Sequence, residues 1–193
     1  MKKIIVLTLA LILTLTLTAC SAASDRVADK FFNTFSTGTY HMKAKVIDSN
    51  AEATMEMFVK KDLTAMNIQA QGQKMRMVMR DNKMHMIDDE QKMVMIMPMS
   101  MQAVGNAASA KVDTEVMRYV GSGKANFHGK NLPYDEYSID GGGKSQLFVD
   151  GSKLAGVRNI SNGTVIDVVV LELDQNVPDS VFQIPAGYTQ MSF

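Results

Sequence analysis

Residues 74–101 read KMRMVMRDNKMHMIDDEQKMVMIMPMSM, with methionine at nearly every second position where it is densest. A period of two is typical of a β-strand, whose side chains alternate between the two faces of a sheet. Polar turns at Asp81-Asn82-Lys83 and Asp88-Asp89-Glu90-Gln91 divide the stretch into three predicted strands. Each strand places its methionines on one face: Met75, Met77 and Met79, then Met84 and Met86, then Met93, Met95, Met97, Met99 and Met101. Three adjacent strands would therefore cover one sheet face with flexible, polarizable thioethers.

The same alternation begins upstream, at Tyr40. It predicts three further strands over residues 40–46, 53–59 and 64–70, joined by short polar turns at Asp48-Ser49-Asn50, Lys61-Asp62 and Gln71-Gly72. Six consecutive strands with such short connections indicate an antiparallel meander. Because apolar and polar residues alternate in each strand, we expect one buried face and one solvated face.

A helix is predicted before the meander. Ser24 and Asp25 are candidate N-caps, and the helix runs to about Ser36. Its apolar residues share one face: Val27, Phe31 and Phe35, with Ala28 and Phe32 beside them. We expect this face to pack on the sheet.

The strand pattern is interrupted in the middle of the chain. Residues 100–109 carry no strand pattern, and residues 113–120 have helical spacing that ends at Gly121-Ser122-Gly123. This predicts a loop and a short central helix. They are either a lid over the sheet or an ordinary connection between its two halves.

Strand patterns return in the second half. Residues 124–128 and 134–139 are predicted strands with a loop at 129–133, and Gly141-Gly142-Gly143 is another loop. Hairpins are predicted around residues 150–153 and around Asn162-Gly163, the strongest two-residue turn signal in the chain. The strand at 164–173 is apolar on both faces, so we expect both to be covered. The tail, VPDSVFQIPAGY at 177–188, predicts a helical turn followed by an extended strap.

Composition limits the function classes. A chain of 193 residues predicts one domain. Lys+Arg and Asp+Glu both number 20, so no charge excess indicates nucleic acid as a partner. Tryptophan is absent and the 17 methionines outnumber the 8 phenylalanines, so soft side chains supply much of the apolar volume.

The first twenty residues indicate export. A basic start, Met1-Lys2-Lys3, precedes an apolar run at 4–17 that is too short and wrongly flanked for a spanning helix. The segment ends in Leu17-Thr18-Ala19-Cys20, which holds the only cysteine and resembles the lipobox of bacterial lipoproteins. That resemblance implies a diacylglyceryl group on Cys20, which becomes the mature N-terminus. Each buried CH₂ contributes ~0.8 kcal/mol, so two acyl chains anchor stably.

These features predict a signal peptide at 1–19, a lipid-anchored linker at 20–23 and a single domain at 24–193. The mature protein is expected to be anchored to a membrane of the bacterial cell envelope, on its extracytoplasmic side.

The order of elements resembles the LolA-like superfamily. The shared features are the N-terminal helix, the long meander with a central helical interruption, and the VPDSVFQIPAGY tail, over roughly residues 24–191. This group includes lipoprotein carriers, mycobacterial lipid-binding lipoproteins and related uncharacterised lipoproteins. The resemblance implies an α+β, mainly β fold: an unclosed half-barrel whose concave apolar face is covered by the N-terminal and central helices and holds acyl chains. The chain differs from the soluble carriers in its own lipid anchor, which argues against shuttling between membranes.

Little in the sequence supports catalysis. Cys20 is used by the anchor, and His41, His85 and His128 are scattered, with no nucleophile motif nearby. The acidic run at 88–90 lies in a predicted turn, and the glycine run at 141–143 fits no phosphate-binding loop. We therefore predict a non-catalytic protein without a cofactor.

The methionine face has three interpretations. It is packing alone, an apolar ligand site, or a soft-metal site. A ligand site would comprise Met55, Met57, Met66, Met75, Met77, Met79, Met84, Met86, Met93, Met95 and Met97, with Met77, Met86, Met95 and Met97 at its centre. Such a site would desolvate acyl chains without chemistry, each buried CH₂ being worth ~0.8 kcal/mol.

Two alternatives to a lipid ligand follow from the same residues. Thioethers select Cu(I), and Met84-His85-Met86 and His41-Met42 offer mixed ligands, although alternation directs His85 away from its neighbours. The concave face could instead recognise a protein partner, as a structural or sensory module of the envelope.

Overall fold

The computed structural model describes residues 26–49, 51–98, 117–139 and 142–193. The predicted signal peptide, Cys20, the linker and the candidate caps Ser24 and Asp25 lie outside these residues. Met99, Met101 and the first part of the predicted central helix also lie outside them.

Within the described residues, one α-helix and one 3-10 helix accompany a single sheet. The helix α1 is Asp29–Ser36 and the 3-10 helix is Asp179–Phe182. The strands are β1 (Thr39–Ile47), β2 (Glu52–Lys60), β3 (Leu63–Ala70), β4 (Gln73–Arg80), β5 (Lys83–Asp88), β6 (Met93–Pro98), β7 (Met117–Phe127), β8 (Lys130–Ile139), β9 (Gly143–Asp150), β10 (Lys153–Ser161), β11 (Thr164–Asp174) and β12 (Thr189–Ser192). Neither described helix has the length and apolar character needed to cross a membrane.

The sheet is an open half-barrel with twelve strands in the order β12-β6-β5-β4-β3-β2-β1-β11-β10-β9-β8-β7. Neighbouring strands are antiparallel except β12, which lies parallel to β6. The predicted six-strand meander and the two predicted hairpins at β9–β10 and β10–β11 are confirmed. Tight turns fix the registers: Asp81 and Asn82 adopt left-handed φ angles of 53° and 55°, and Asn162 and Gly163 adopt 50° and 78°.

Different elements pack on the two faces of the sheet. The inner face is the one on which α1 packs, through the buried side chains of Phe31 and Phe35, as predicted. The outer face of β2–β6 packs against the C-terminal strap, residues 177–188, where Phe182 is 4% exposed. The buried outer-face residues beneath it are Phe58, Ala65, Val78, Ile87 and Val94. The expectation of a solvated second face is therefore wrong for these strands, because the tail folds back across them.

Several predicted boundaries are wrong. Helix α1 begins at Asp29, with Ala28 rather than Ser24 or Asp25 at the N-cap. Residues 117–123, predicted as the end of a central helix and its stop, belong to the edge strand β7. The predicted loop at 129–133 is a short turn, and Pro133 lies within β8. Strand β11 is not covered on both faces along its length, because Val165 and Leu171 are 44% and 48% exposed.

Candidate ligand-binding face

Methionines from seven neighbouring strands face one another in a single row across the inner face. The row, which we name the methionine ladder, runs from β1 through β2, β3, β4, β5 and β6 to β12: Met42, Met57, Met66, Met77, Met86, Met95 and Met191. Residues directly opposite each other on neighbouring strands share a face, so the seven thioethers are lateral neighbours. From Met66 to Met95, alternation, the two-residue turns at 71–72 and 81–82 and the four-residue turn at 89–92 are sufficient to produce this row.

Exposure rises along the methionine ladder. Met42, Met57, Met66 and Met77 are 4%, 1%, 2% and 7% exposed. Met86 and Met95 are half-buried, and Met191 at the sheet edge is 39% exposed. One end of the ladder is therefore core and the other is surface.

The remaining candidate methionines flank the ladder on the same face. Ile68 on β3 lies between Met55 on β2 and Met75 on β4. Met79, Met84 and Met97, on β4, β5 and β6, form a second row beside the ladder. Met55 is buried, Met75 is 41% exposed, and Met79, Met84, Met93 and Met97 are half-buried. All eleven predicted residues thus share the inner face. Of the four predicted to be central, Met77, Met86 and Met95 lie in the ladder and Met97 in the adjoining row.

Aromatic contacts hold α1 over the closed end of this face. Phe35 meets Tyr40 edge-on at 5.2 Å between ring centroids, and Phe32 meets Tyr137 at 5.1 Å. Burial raises the pKa of Tyr40 to about 12. Among the described strands, β1 makes the most contacts with the helix.

A buried carboxylate fixes the start of α1. Asp135 on β8 is fully buried, and its Oδ2 accepts a hydrogen bond of 2.8 Å from the Ala28 N–H. Its Oδ1 accepts another from the Ser122 hydroxyl. The guanidinium of Arg26 lies 4.3 Å from the centre of the Tyr119 ring beside this cluster. This role of Asp135 was not predictable from the sequence, because a residue 107 positions from Ala28 carries no local capping signal.

Tyr137 lies next to that cluster with an unsatisfied hydroxyl. It is 3% exposed, and its hydroxyl oxygen is buried without a hydrogen-bond partner among the described residues. Burial raises its pKa above the ordinary value, and the negative charges of Asp135 and Asp29 add to the shift. The side chain therefore acts as an apolar component of the inner-face core.

The three histidines do not join the methionine face. His85 lies on the outer face, opposite in direction to Met84 and Met86, with Nδ1 3.2 Å from the Val78 carbonyl oxygen. His128 Nε2 lies 3.0 Å from Asp167. Within the described residues, no group of three or more His, Cys, Asp or Glu could hold a metal. The geometry disfavours the mixed Met-His ligand set considered for Cu(I).

His41 also faces away from the ladder. Its ring stacks on Phe58 at 4.5 Å and lies 3.2 Å from Glu56 and 3.3 Å from Asp174. A hydrogen bond from the Asn176 N–H, with a smaller contribution from the hydrogen bond to His41, holds the pKa of Asp174 below its ordinary value. This arrangement joins β1, β2 and β11 on the outer face.

Comparisons with known proteins support the fold. No protein-family model and no curated protein matches this chain. An uncharacterized conserved protein from Thermus thermophilus has a similar structure, with a TM-score of 0.54 and 12% identity, covering 86% of this chain and 99% of that one. The chain shares its fold. The open half-barrel with α1 on its inner face also confirms the sheet and the N-terminal helix that the LolA-like resemblance implied, but not the central helix.

Two further solved structures are similar at lower TM-scores. LprF from Mycobacterium bovis has a TM-score of 0.49 and 9% identity, covering 85% of this chain and 99% of that one. The LolA superfamily protein NE2245 from Nitrosomonas europaea has a TM-score of 0.42 and 10% identity, covering 76% and 90%.

Proposed function

We propose that this protein is a lipid-anchored lipoprotein of the bacterial cell envelope that binds a lipid or another apolar ligand without catalysis. The ligand would lie on the open part of the inner face, over β4, β5, β6 and β12. The observation that supports this proposal is the exposure gradient of the methionine ladder, from 1% at Met57 to 39% at Met191. A face built only for packing would be covered along its whole length.

The chemistry of the open face suits an apolar ligand. Met75, Met84, Met93 and Met95 and their neighbours present thioethers, while the charged residues of β4 and the start of β5 alternate to the outer face. Methionine is flexible and polarizable, so a surface of this kind adapts to ligands of varied shape. Each CH₂ group removed from water there would contribute ~0.8 kcal/mol, so a long acyl chain could bind without a specific hydrogen bond.

The predicted anchor on Cys20 would keep this face near a membrane. Cys20 precedes the first helical residue, Asp29, by nine positions. A fully extended chain of that length spans at most roughly 30 Å. The domain would therefore take up or hold ligands at the membrane surface rather than carry them between membranes.

A matched pair of exposed substitutions tests the ligand site. Met75 on the inner face is 41% exposed and Val165 on β11 is 44% exposed, so a glutamate at either position should leave the fold intact. We expect Met75→Glu to weaken binding of a fluorescent fatty-acyl probe about tenfold through loss of apolar contact, and Val165→Glu to leave it unchanged. Organic extraction of the purified wild-type protein should recover lipid. Protein that carries no lipid and binds no acyl probe would contradict the proposal.

The anchor is tested separately. Replacing Cys20 by serine removes the only thiol in the chain. The protein should then fail to incorporate labelled palmitate and should move from the membrane fraction to the soluble one. The probe affinity of the domain should not change. Retention of the label in Cys20→Ser would rule out this residue as the lipidation site.

A further inference from the structure

Strands β10 and β11 are paired over only part of their length. Their register runs from Ser161 opposite Thr164 to Gly156 opposite Val169 and stops there. Beyond that point, within the part of the chain that the structure describes, β10 pairs only with β9 and β11 only with β1. The two strands therefore separate, and residues 153–155 and 170–174 present backbone edges that do not pair with each other. We name this gap the split.

Two β-bulges account for the split. On β11, Lys43 and Ala44 of β1 oppose Glu172 and Val170, which leaves Leu171 as an extra residue. On β10, the register with β9 shifts between Leu154 and Gly156, which leaves Ala155 extra. A bulge bends its strand and increases the local twist. One bulge lies in the ladder with β1 and the other in the ladder with β9, so they flank the gap at the point where β10 and β11 stop pairing.

Glycine is required where the strands diverge. A Cβ atom at Gly156 would lie 2.4 Å from the Val168 carbonyl oxygen and 2.5 Å from the Phe127 ring. No larger residue fits unless the backbone or the ring moves. The closed end of the split is therefore tightly packed, which makes the opening beyond it a defined feature of the fold.

The split contains a cavity of about 610 Å³. Its walls are the two strand edges, and Phe31 of α1 and Leu132 of β8 also line it. Most of the lining side chains are apolar, including Leu171, which is 48% exposed. The rim carries both signs of charge, with Lys130 and Asp150 in a 2.7 Å ion pair and Lys153 and Glu172 nearby.

The unpaired strand edges and the apolar cavity fit an extended peptide better than an acyl chain. An acyl chain would cover the apolar lining but would leave the backbone N–H and C=O groups of both edges without hydrogen-bond partners. An extended peptide would satisfy both, because an added strand hydrogen-bonds to the exposed edges while its side chains fill the apolar cavity. Charges of both signs at the rim give no preference for an anion or a cation. The unpaired edge of β11, residues 170–174, is roughly 17 Å long at strand spacing.

We propose that the split binds an extended segment of a partner polypeptide as an added β-strand. Alternate side chains of the segment would be apolar, because Phe31 and Leu154 on the inner side belong to the buried core cluster. The split lies between β10 and β11, away from the open methionines of β4–β6. This inference is therefore independent of the proposed lipid site.

The test uses the full-length protein and a panel of fluorescent heptapeptides. Each probe has lysine at both ends and a core in which threonine alternates with valine, leucine or phenylalanine. A matched set carries N-methyl groups on alternate backbone amides, which removes donors without changing the side chains. We expect at least one unmodified peptide to bind, and its N-methylated counterpart to bind at least about tenfold more weakly.

Two variants locate the site. Leu171→Glu places a charge in the split, and Val165→Glu places one at similar exposure on the paired part of the same strand. Peptide affinity should fall about tenfold in the first and stay unchanged in the second. Met75→Glu should also leave peptide binding unchanged, which separates this site from the lipid site.

Hydrogen exchange gives a readout that does not depend on variants. Amides of residues 170–174 that face the split should exchange quickly in the free protein and slowly with bound peptide. Slow exchange in the free protein would show that the split closes, and would overturn the proposal. It would also be overturned if no peptide of the panel bound below about 1 mM, if N-methylation had no effect, or if Leu171→Glu abolished binding of the fatty-acyl probe instead.

Discussion

Asp135 performs at long range the task that a local side chain usually performs at a helix start. Its carboxylate accepts the Ala28 N–H and the Ser122 hydroxyl, so it connects α1 to both β8 and β7. The first N–H groups of a helix have no partner within the helix, and burying one without an acceptor is costly. Asp135 therefore fixes the start of α1, while the aromatic contacts of Phe32 and Phe35 hold the rest of the helix on the inner face.

We predict that Asp135→Ala lowers the free energy of unfolding by about 2–3 kcal/mol, because it leaves a buried N–H and a hydroxyl without an acceptor. Asp135→Asn, which retains one acceptor oxygen, should recover part of the loss. The exposed aspartate Asp150, which pairs with Lys130, is the control, and Asp150→Ala should cost less than about 1 kcal/mol. Urea unfolding of the three variants measures these differences. Equal losses for Asp135→Ala and Asp150→Ala would refute the anchoring role.

The raised pKa of Tyr40 predicts sensitivity to alkali. Burial raises this pKa from 10.0 to about 12 in the folded protein. A pKa raised in the folded state gives stability that is complete below the unfolded value and is lost as pH rises through the folded one. The free energy of unfolding should therefore decrease between pH 10 and pH 12. In Tyr40→Phe this part of the decrease should be absent, as measured by urea unfolding at several pH values. A slope identical to that of the wild type would contradict the assignment.

At the scale of elements, the C-terminal strap closes the outer face that the sequence pattern predicted to be solvated. Phe182 is 4% exposed in the outer cluster, whereas Phe193 at the chain end is 75% exposed. Phe182→Ala should lower the free energy of unfolding by about 3–5 kcal/mol, since it leaves a cavity in that cluster. Phe193→Ala should change it by less than about 0.5 kcal/mol. Thermal and urea unfolding compare the two. A loss below about 1 kcal/mol for Phe182→Ala would show that the strap contributes little.

The meander and its methionine face were predictable because their signals are local. Alternation sets which side chains share a face, and turns such as Asp81-Asn82 fix the register, so the row from Met66 to Met95 follows from spacing alone. The ends of the ladder at Met42 and Met191 were not predicted. Met191 joins it only because β12 pairs in parallel with β6, a contact between distant parts of the chain.

Residues 117–123 show why other elements could not be predicted. Their apolar spacing fits a helix, and Gly121-Ser122-Gly123 resembles a helix stop. In the structure, Val120 is the extra residue of a bulge beside Gly121, and a Cβ atom at Gly123 would lie 2.8 Å from the Tyr134 hydroxyl. These glycines serve a bent edge strand and a close approach across strands. The same limit applies to the split, whose bulges at Ala155 and Leu171 depend on pairing with neighbouring strands.

At the scale of the whole molecule, the sheet has two halves with different surfaces. From β12 to β1, the inner face is lined with methionine, and the strap closes the outer face of β2–β6. In the half from β11 to β7, Arg158 donates two hydrogen bonds to Asp167 beside the stacked rings of Phe127 and Phe148. One half therefore offers a soft apolar surface, and the other contains the split. Binding at either half need not disturb the other.

The gradient of the methionine ladder predicts an order of oxidation across the molecule. Peroxide converts a thioether to a polar sulfoxide, and susceptibility follows exposure. Among the methionines that the structure describes, Met75 and Met191, at 41% and 39% exposure, should be modified first, and Met57 and Met66, at 1% and 2%, only when the protein unfolds. Because the first sulfoxides form on the open face, the affinity for a fatty-acyl probe should fall before the fold is lost. Peptide mass spectrometry, probe binding and circular dichroism follow the three events in one titration.

A double variant separates loss of sulfur from loss of apolar area. Met75→Leu with Met191→Leu keeps the side-chain volume close to that of methionine and removes two strongly exposed thioethers. It should bind the acyl probe as well as the wild type and retain binding to a higher peroxide concentration. If Met57 and Met66 oxidise as fast as Met191 in the folded protein, the ladder is not closed at its helix end. If binding survives full oxidation of the exposed methionines, the open face does not hold the apolar ligand.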